Sequence, residues 1–283
     1  MKTQWQVDAN TRVYGVFGDP VRHSKSPVML NRAFREIGVN AVYAAFHVTR
    51  DRLKEAVEGV RALGFGGVNV TIPHKIDIMQ YMDELDETAE AIGAVNTVVN
   101  RDGKLTGYNT DGIGYVRSLK EETGWSLEGR RIAVIGAGGA ARGIVYALLK
   151  EKPEKVTIVN RTRANAEALA ADMGRFGRVE GMGLDDLENI KGRIDLLVNT
   201  TSVGMHPKVD EMPVPADFLE PGMAVSDIVY NPAKTKLLAE AEARGCTVHG
   251  GLGMFVYQGA YAFEYWTGLP APVAAMREVV EQS

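Results

Sequence analysis

The sequence holds one cysteine among its 283 residues, no uninterrupted apolar run of membrane-spanning length, and no surplus of basic residues. Each shortage closes a class of function. Cys246 has no partner for an internal disulfide, and in the strand-like run Cys246-Thr247-Val248-His249 it reads as a small buried filler rather than a catalytic thiol. Charges interrupt the apolar runs well short of the roughly 20 residues that cross a bilayer, and Met1-Lys2-Thr3-Gln4 opens no signal-peptide core. A cytoplasmic protein with no membrane partner is expected. The net charge of -4, from 32 Lys and Arg against 36 Asp and Glu, leaves no basic excess to neutralise nucleic-acid phosphates, so no nucleic-acid partner is expected. The five histidines, His23, His47, His74, His206 and His249, show no ligand spacing, and no metal site is expected.

What is present is an ordinary globular composition, 45% hydrophobic and 24% charged. The chain is long enough for two domains, since typical domains hold about 100 to 150 residues. Apolar, β-branched runs alternate with helix-period segments: Val13-Tyr14-Gly15-Val16-Phe17, a helix from Pro27 to Ile37, Val42 to Val48, a helix from Asp51 to Leu63, and a strand at Gly67 to Thr71. Helical stretches flank Asp83-Glu84, and extended segments follow at Asn96 to Asn100 and Lys104 to Tyr108. This β-α rhythm predicts helices covering a largely parallel sheet. It restarts at Ile132-Ala133-Val134-Ile135, with further strands at Val156 to Val159, Asp195 to Asn199, Ala224 to Ile228 and Thr247 to His249. The boundary is placed near the helix that begins after Asp111-Gly112, because no Gly/Ser linker marks it.

Gly136-Ala137-Gly138-Gly139-Ala140-Ala141 follows an apolar strand and opens an alanine-rich helix, the context that a dinucleotide fingerprint requires. Glycine lets the backbone turn sharply and approach a pyrophosphate, and the helix N-terminus offers N–H groups and a positive dipole end. At the end of the second strand, where NAD enzymes usually carry an Asp or Glu for the ribose hydroxyls, stands Asn160-Arg161-Thr162-Arg163. A guanidinium grips a 2′-phosphate that a carboxylate would repel, so NADP is the expected cofactor.

In the first half, Ser24-Lys25-Ser26-Pro27 joins a strand to a helix, with Ser26 a natural N-cap before Pro27. Asn69-Val70-Thr71-Ile72-Pro73-His74-Lys75 is expected to place a lysine at a helix start, where its charge is unfavourable unless it serves a ligand. Gly93-Ala94-Val95-Asn96-Thr97 and Gly107-Tyr108-Asn109-Thr110-Asp111-Gly112 add an amide and a carboxylate at element ends. Singly these are ordinary turns and caps; together they suit a small ring bearing several hydroxyls.

These motifs, with Asn199-Thr200-Thr201-Ser202-Val203-Gly204-Met205 and Gly253-Met254-Phe255-Val256-Tyr257-Gln258-Gly259-Ala260, occur in the order found in shikimate dehydrogenases, which the chain resembles from about Tyr14 to Trp266. The resemblance implies an α/β fold of two domains. A substrate-binding domain would hold residues 1–111 and 252–283, whose C-terminal helices return to it, and a Rossmann-like NADP domain would hold residues 112–251, with the active site in the cleft between them. It implies that Ser24, Ser26 and Tyr230 lie near a substrate carboxylate, and that Thr71, Lys75, Asn96, Asp111 and Gln258 surround the ring hydroxyls. Gly136, Ala137, Gly138, Gly139, Ala140, Asn160, Arg161, Thr162, Thr200 and Ser202 would bind NADP, with Gly251 and Met254 near the nicotinamide. Asn165 stands where some members place a second arginine, a role Arg163 would have to take. Lys75 and Asp111 match the family's catalytic couple, acting as NADPH reduces 3-dehydroshikimate to shikimate. A quinate/shikimate dehydrogenase and a silent NADP-binding sensor are the competing readings. A monomer or homodimer is expected.

Overall fold

The computed structural model describes residues 7–283, so the opening Met1–Gln4 run lies outside the described residues. The chain divides into two compact units. One holds the chain up to Thr110 together with Val256–Ser283, and the other holds Asp111–Phe255.

The first unit runs β1 (Arg12–Gly18), α1 (Ser26–Ile37), β2 (Ala41–His47), a 3-10 turn at Arg50–Arg52 leading into α2 (Leu53–Ala62), and β3 (Gly67–Val70). A 3-10 helix at Asp77–Tyr81, β4 (Glu84–Leu85), α3 (Glu87–Ile92), β5 (Thr97–Arg101) and β6 (Lys104–Tyr108) follow. The sheet order is β2-β1-β3-β5-β6-β4. α1 buries Met29, Leu30, Ala33 and Phe34, a stripe at helical spacing, and ends where Gly38 enters the left-handed region at φ 76°. The pairs β1–β2, β1–β3 and β4–β6 are parallel, as a largely parallel sheet requires, while β5 runs antiparallel to both β3 and β6. The cause is local. Asp102 and Gly103, at φ 52° and 89°, form the two-residue turn that joins antiparallel strands with the twist they need.

The second unit begins with α4 (Asp111–Thr123) and continues through β7 (Arg131–Ile135), α5 (Gly139–Lys150), β8 (Lys155–Asn160), α6 (Arg163–Met173), β9 (Val179–Gly183), β10 (Leu196–Asn199), β11 (Ala224–Asp227), α7 (Lys236–Ala243) and β12 (Thr247–His249). All its strand pairs are parallel, in the order β12-β11-β10-β7-β8-β9. Both faces are covered: Ile132 and Val134 enter one apolar cluster, Ala133 and Ile135 the other. That is why β7 reads as an unbroken apolar run. β9 was not among the expected strands, because Val179-Glu180-Gly181-Met182-Gly183 carries two glycines and weak periodicity. Gly181 is required by packing, since a Cβ there would sit 2.4 Å from the backbone of Ala166 in α6.

The division between the units falls within α8 (Gly251–Thr267), and α9 (Val273–Glu281) closes the chain. In the first unit Trp266 is buried against Tyr14, ring centroids 4.9 Å apart, and its indole N–H donates to Val98 O at 2.9 Å. Gly67 makes room for it: a Cβ there would lie 2.3 Å from the indole nitrogen.

Candidate active site

In the second unit, strand order reverses between β7 and β10, and the glycine turn sits at the carboxyl end of β7 at this switch point. Ligands of doubly wound sheets bind at such points. Gly136 adopts φ 113°, and a Cβ on it would lie 2.6 Å from Thr200 Oγ1. Thr200 donates that hydroxyl to Ile135 O at 2.7 Å, so the turn and the loop after β10 are packed edge to edge. Gly138 is the N-cap of α5, offers no side-chain cap, and its Cβ position faces open space. Gly139 and Ala140 form the first turn, which carries no acidic residue, while Ala137 packs on the core. A wide, uncapped helix start with small residues fits a pyrophosphate.

At the end of β8, Asn160 donates from Nδ2 to Thr162 O at 3.0 Å, and Thr162 is the N-cap of α6 without a side-chain cap bond. Arg161, Thr162 and Arg163 are exposed. The two arginines differ in what they touch. Arg163 is ion-paired through Nη2 with Asp186 Oδ2, an oxygen that also accepts the Gly183 N–H at 3.2 Å. Arg161 makes no ion pair among the described residues.

The loops after β10 and β11 are organised by two residues to which the sequence alone assigns no individual role. Asn199 and Asp227, each at a strand end and fully buried, are hydrogen-bonded at 3.0 Å. Burial pushes the Asp227 carboxyl up to about 6, opposed by hydrogen bonds from Thr235, Val229 and Asn199. Ser202 lies in the first of these loops and Tyr230 in the second, where its ring stacks on Phe255 at 4.4 Å between centroids. Gly251 packs so closely on the second loop that a Cβ would be 2.2 Å from Ile228 O. Met254 is buried in the apolar cluster that includes Tyr115, Leu119 and Ile132. A signal was available in the chain: polar residues close two short strands that begin apolar.

In the first unit the capping expectation is corrected. Lys25, not Ser26, occupies the N-cap of α1 without a side-chain cap bond, and Ser24 Oγ accepts the Ser26 N–H at 3.2 Å. Ser26 is the first helical residue and is buried. Tyr43 donates to Asn69 Oδ1 at 2.8 Å, and Asn69 Nδ2 donates to Thr97 Oγ1 at 3.1 Å. Thr97 donates to Asn96 Oδ1 at 3.0 Å. Asn96 Nδ2 in turn donates to Thr110 Oγ1 at 2.9 Å, and Thr110 donates to the backbone carbonyl of Gln258 at 3.0 Å. One buried polar chain thus runs from Tyr43 through Asn96 to the backbone carbonyl of Gln258. Asp111, which follows Thr110, is 3% exposed and opens α4 in the second unit.

Thr71 and Lys75 lie in the turn after β3, pinned by Thr71 N–H to Phe17 O at 2.9 Å and Val95 N–H to Lys75 O at 2.7 Å. Lys75 is half-buried. The expectation that it starts a helix is corrected: the next helix is a 3-10 helix whose N-cap is Ile76 and whose first turn carries Asp77. Pro73 and the tight turn delay it, so the helix-dipole argument for Lys75 falls away and its position in the pinned turn stands in its place.

The second unit is therefore a doubly wound α/β unit with the makings of a nicotinamide dinucleotide site, and the first a mixed-sheet α/β unit with a buried polar network. Family models match in three blocks, described as shikimate dehydrogenase substrate binding domain (residues 16–98), shikimate / quinate 5-dehydrogenase (residues 118–211) and shikimate 5′-dehydrogenase C-terminal domain (residues 251–281). The NADP(+) shikimate dehydrogenase of Geobacillus kaustophilus is 51% identical over 95% of this chain and 97% of its own. A crystal structure of a shikimate dehydrogenase in complex with NADP+ is similar at TM-score 0.90 and 44% identity, over 98% of this chain and 97% of that one. The Listeria monocytogenes enzyme, solved with shikimate and NAD, is similar at TM-score 0.91 and 40% identity, over 99% and 100%. The chain belongs to the shikimate dehydrogenase family.

Proposed function

We propose that the chain catalyses the reversible, NADPH-dependent reduction of 3-dehydroshikimate to shikimate, with the cofactor held by the second unit. The observation that carries the cofactor assignment is the open glycine turn at the switch point together with Arg161, an exposed guanidinium without an ion pair among the described residues, just beyond β8. Gly136 to Ala140, Thr200 and Ser202 line the pyrophosphate and ribose side, and Asn160, Arg161 and Thr162 take the 2′-phosphate. Gly251 and Met254 face the nicotinamide.

Bound NADPH supplies the hydride. The ketone oxygen gains negative charge as it is reduced, and Lys75 provides the proton at that atom, with Asp111 as the second catalytic group. Ser24, Ser26 and Tyr230 take the substrate carboxylate, and Thr71, Asn96 and Gln258 the ring hydroxyls. Hydroxyls and amides suit this task because they donate and accept without adding charge to a substrate that already bears one. The polar network around Asn96 supports the reading, since its bonds to Thr97 and Thr110 fix that side chain's orientation before substrate arrives and so lower the ordering cost of binding. The test is consumption of NADPH on addition of 3-dehydroshikimate to the purified chain. Turnover supports the assignment, whereas tight NADPH binding with no turnover would favour a cofactor sensor.

A further inference from the structure

Asp227 is a carboxylate that the proposed chemistry does not use. It is fully buried at the end of β11, and it gathers donors from three separate segments. Oδ1 accepts from Asn199 Nδ2 at 3.0 Å and from the Val229 N–H at 3.0 Å, and Oδ2 accepts from the Thr235 hydroxyl at 2.7 Å. Asn199 extends the reach. Its Oδ1 accepts both the N–H and the hydroxyl of Thr201, at 3.1 and 2.7 Å, and its Nδ2 also donates to Val203 O at 3.2 Å. Thr201 Oγ1 then accepts the Val203 N–H at 3.1 Å. One carboxylate therefore sets the shape of the loop that carries Thr200 and Ser202, and directly sets the Ile228–Tyr230 turn against which Gly251 rests.

A buried carboxylate is costly unless its lone pairs are met, and an apolar residue would fill the same space at less cost. What an apolar residue cannot do is accept from three segments at once. We infer that Asp227 is a positioning residue for the cofactor, holding the loops after β10 and β11 in the arrangement that NADP(H) occupies. This rests on the reading that Thr200, Ser202 and Gly251 line the cofactor site. A merely structural role would lower stability without altering the affinity of the folded protein.

The two are separated with Asp227→Ala and Asn199→Ala in the full chain. Asn199→Ala leaves Asp227 its bonds to Val229 and Thr235 and cuts only the link to the loop after β10. NADPH fluorescence titrations are run well below each variant's melting temperature. Both variants should bind NADPH about tenfold or more weakly, the scale of a lost hydrogen bond to a charged group, and Asp227→Asn, which keeps an acceptor oxygen for Asn199 and Val229, should recover much of the loss. If Asp227→Ala does not fold, Asn199→Ala decides alone. Wild-type affinity in a folded variant with a lowered melting temperature would overturn the inference and leave the cofactor assignment intact. Failure of the unmodified chain to bind NADPH would overturn the cofactor assignment and the inference with it.

Discussion

Replacing Arg161 with Ala is the sharpest test of cofactor choice, because only contacts made to the 2′-phosphate distinguish NADP from NAD. The end of β8 carries two arginines, and the structure ranks them. Arg163 spends its guanidinium on Asp186, which is itself tied to the Gly183 N–H, whereas Arg161 has no such ion pair among the described residues. A hydrogen bond to a charged group is worth about 1.5 to 3 kcal/mol, or about 10- to 150-fold in affinity. Arg161→Ala should raise KM for NADP by that factor and leave KM for NAD and for shikimate nearly unchanged. Arg163→Ala should cost much less, about threefold, since it breaks an exposed pair of small net worth. Initial rates of shikimate oxidation with NADP and NAD as varied substrates measure both. Equal losses for the two cofactors in Arg161→Ala would show that the residue supports the loop rather than the phosphate. A larger loss in Arg163→Ala than in Arg161→Ala would reverse the ranking.

Lys75→Ala should lower turnover by about 10²-fold or more with a much smaller change in KM, the pattern for a group acting on developing charge; near-normal turnover would remove it from the catalytic role. Ser26→Ala should raise KM for shikimate and leave NADP affinity unchanged, while Ser24→Ala should do the same and also lose about 1 kcal/mol of stability, because Ser24 is the hydroxyl that accepts a first-turn N–H. Cofactor titrations and melts separate these effects, and weakened NADP binding in either variant would contradict the two-site assignment. Asp227 makes a pH prediction. Its carboxyl rises from the ordinary 3.8 to about 6 on folding, so between these values the native state binds the proton that the unfolded state has released. Stability should therefore fall as pH rises through this window, by about 3 kcal/mol from this one group. Denaturant melts of the unmodified chain and Asp227→Asn across the window should differ by that slope; parallel curves would refute it.

The second unit was legible because its signals are local and mutually consistent: an apolar β7 buried on both faces, a glycine turn, an alanine-rich α5, and β8 ending on Asn160-Arg161-Thr162. β9 was not, since its glycines serve the close approach of α6 rather than any pattern of its own. In the first unit, Asp102-Gly103 was the overlooked token that turns β5 and β6 antiparallel. The site was readable as a list of polar residues at element ends, but not as a network. Tyr43, Asn69, Thr97, Asn96 and Thr110 are joined across separations of up to 28 positions only once the sheet is formed. Asp227, and the part that Asn199 plays in holding it, escaped for the same reason, as a carboxylate closing a short strand is ordinary until its three donors are in place.

The measurement that bears most directly on the central claim is kcat/KM for shikimate and quinate, each with NADP and with NAD. The account predicts that shikimate with NADP exceeds shikimate with NAD by at least the roughly 10-fold that a phosphate contact confers between cofactors, and that it exceeds both quinate combinations. Quinate turned over as well as shikimate would place the chain with the quinate/shikimate enzymes, and NAD used as well as NADP would contradict the role given to Arg161.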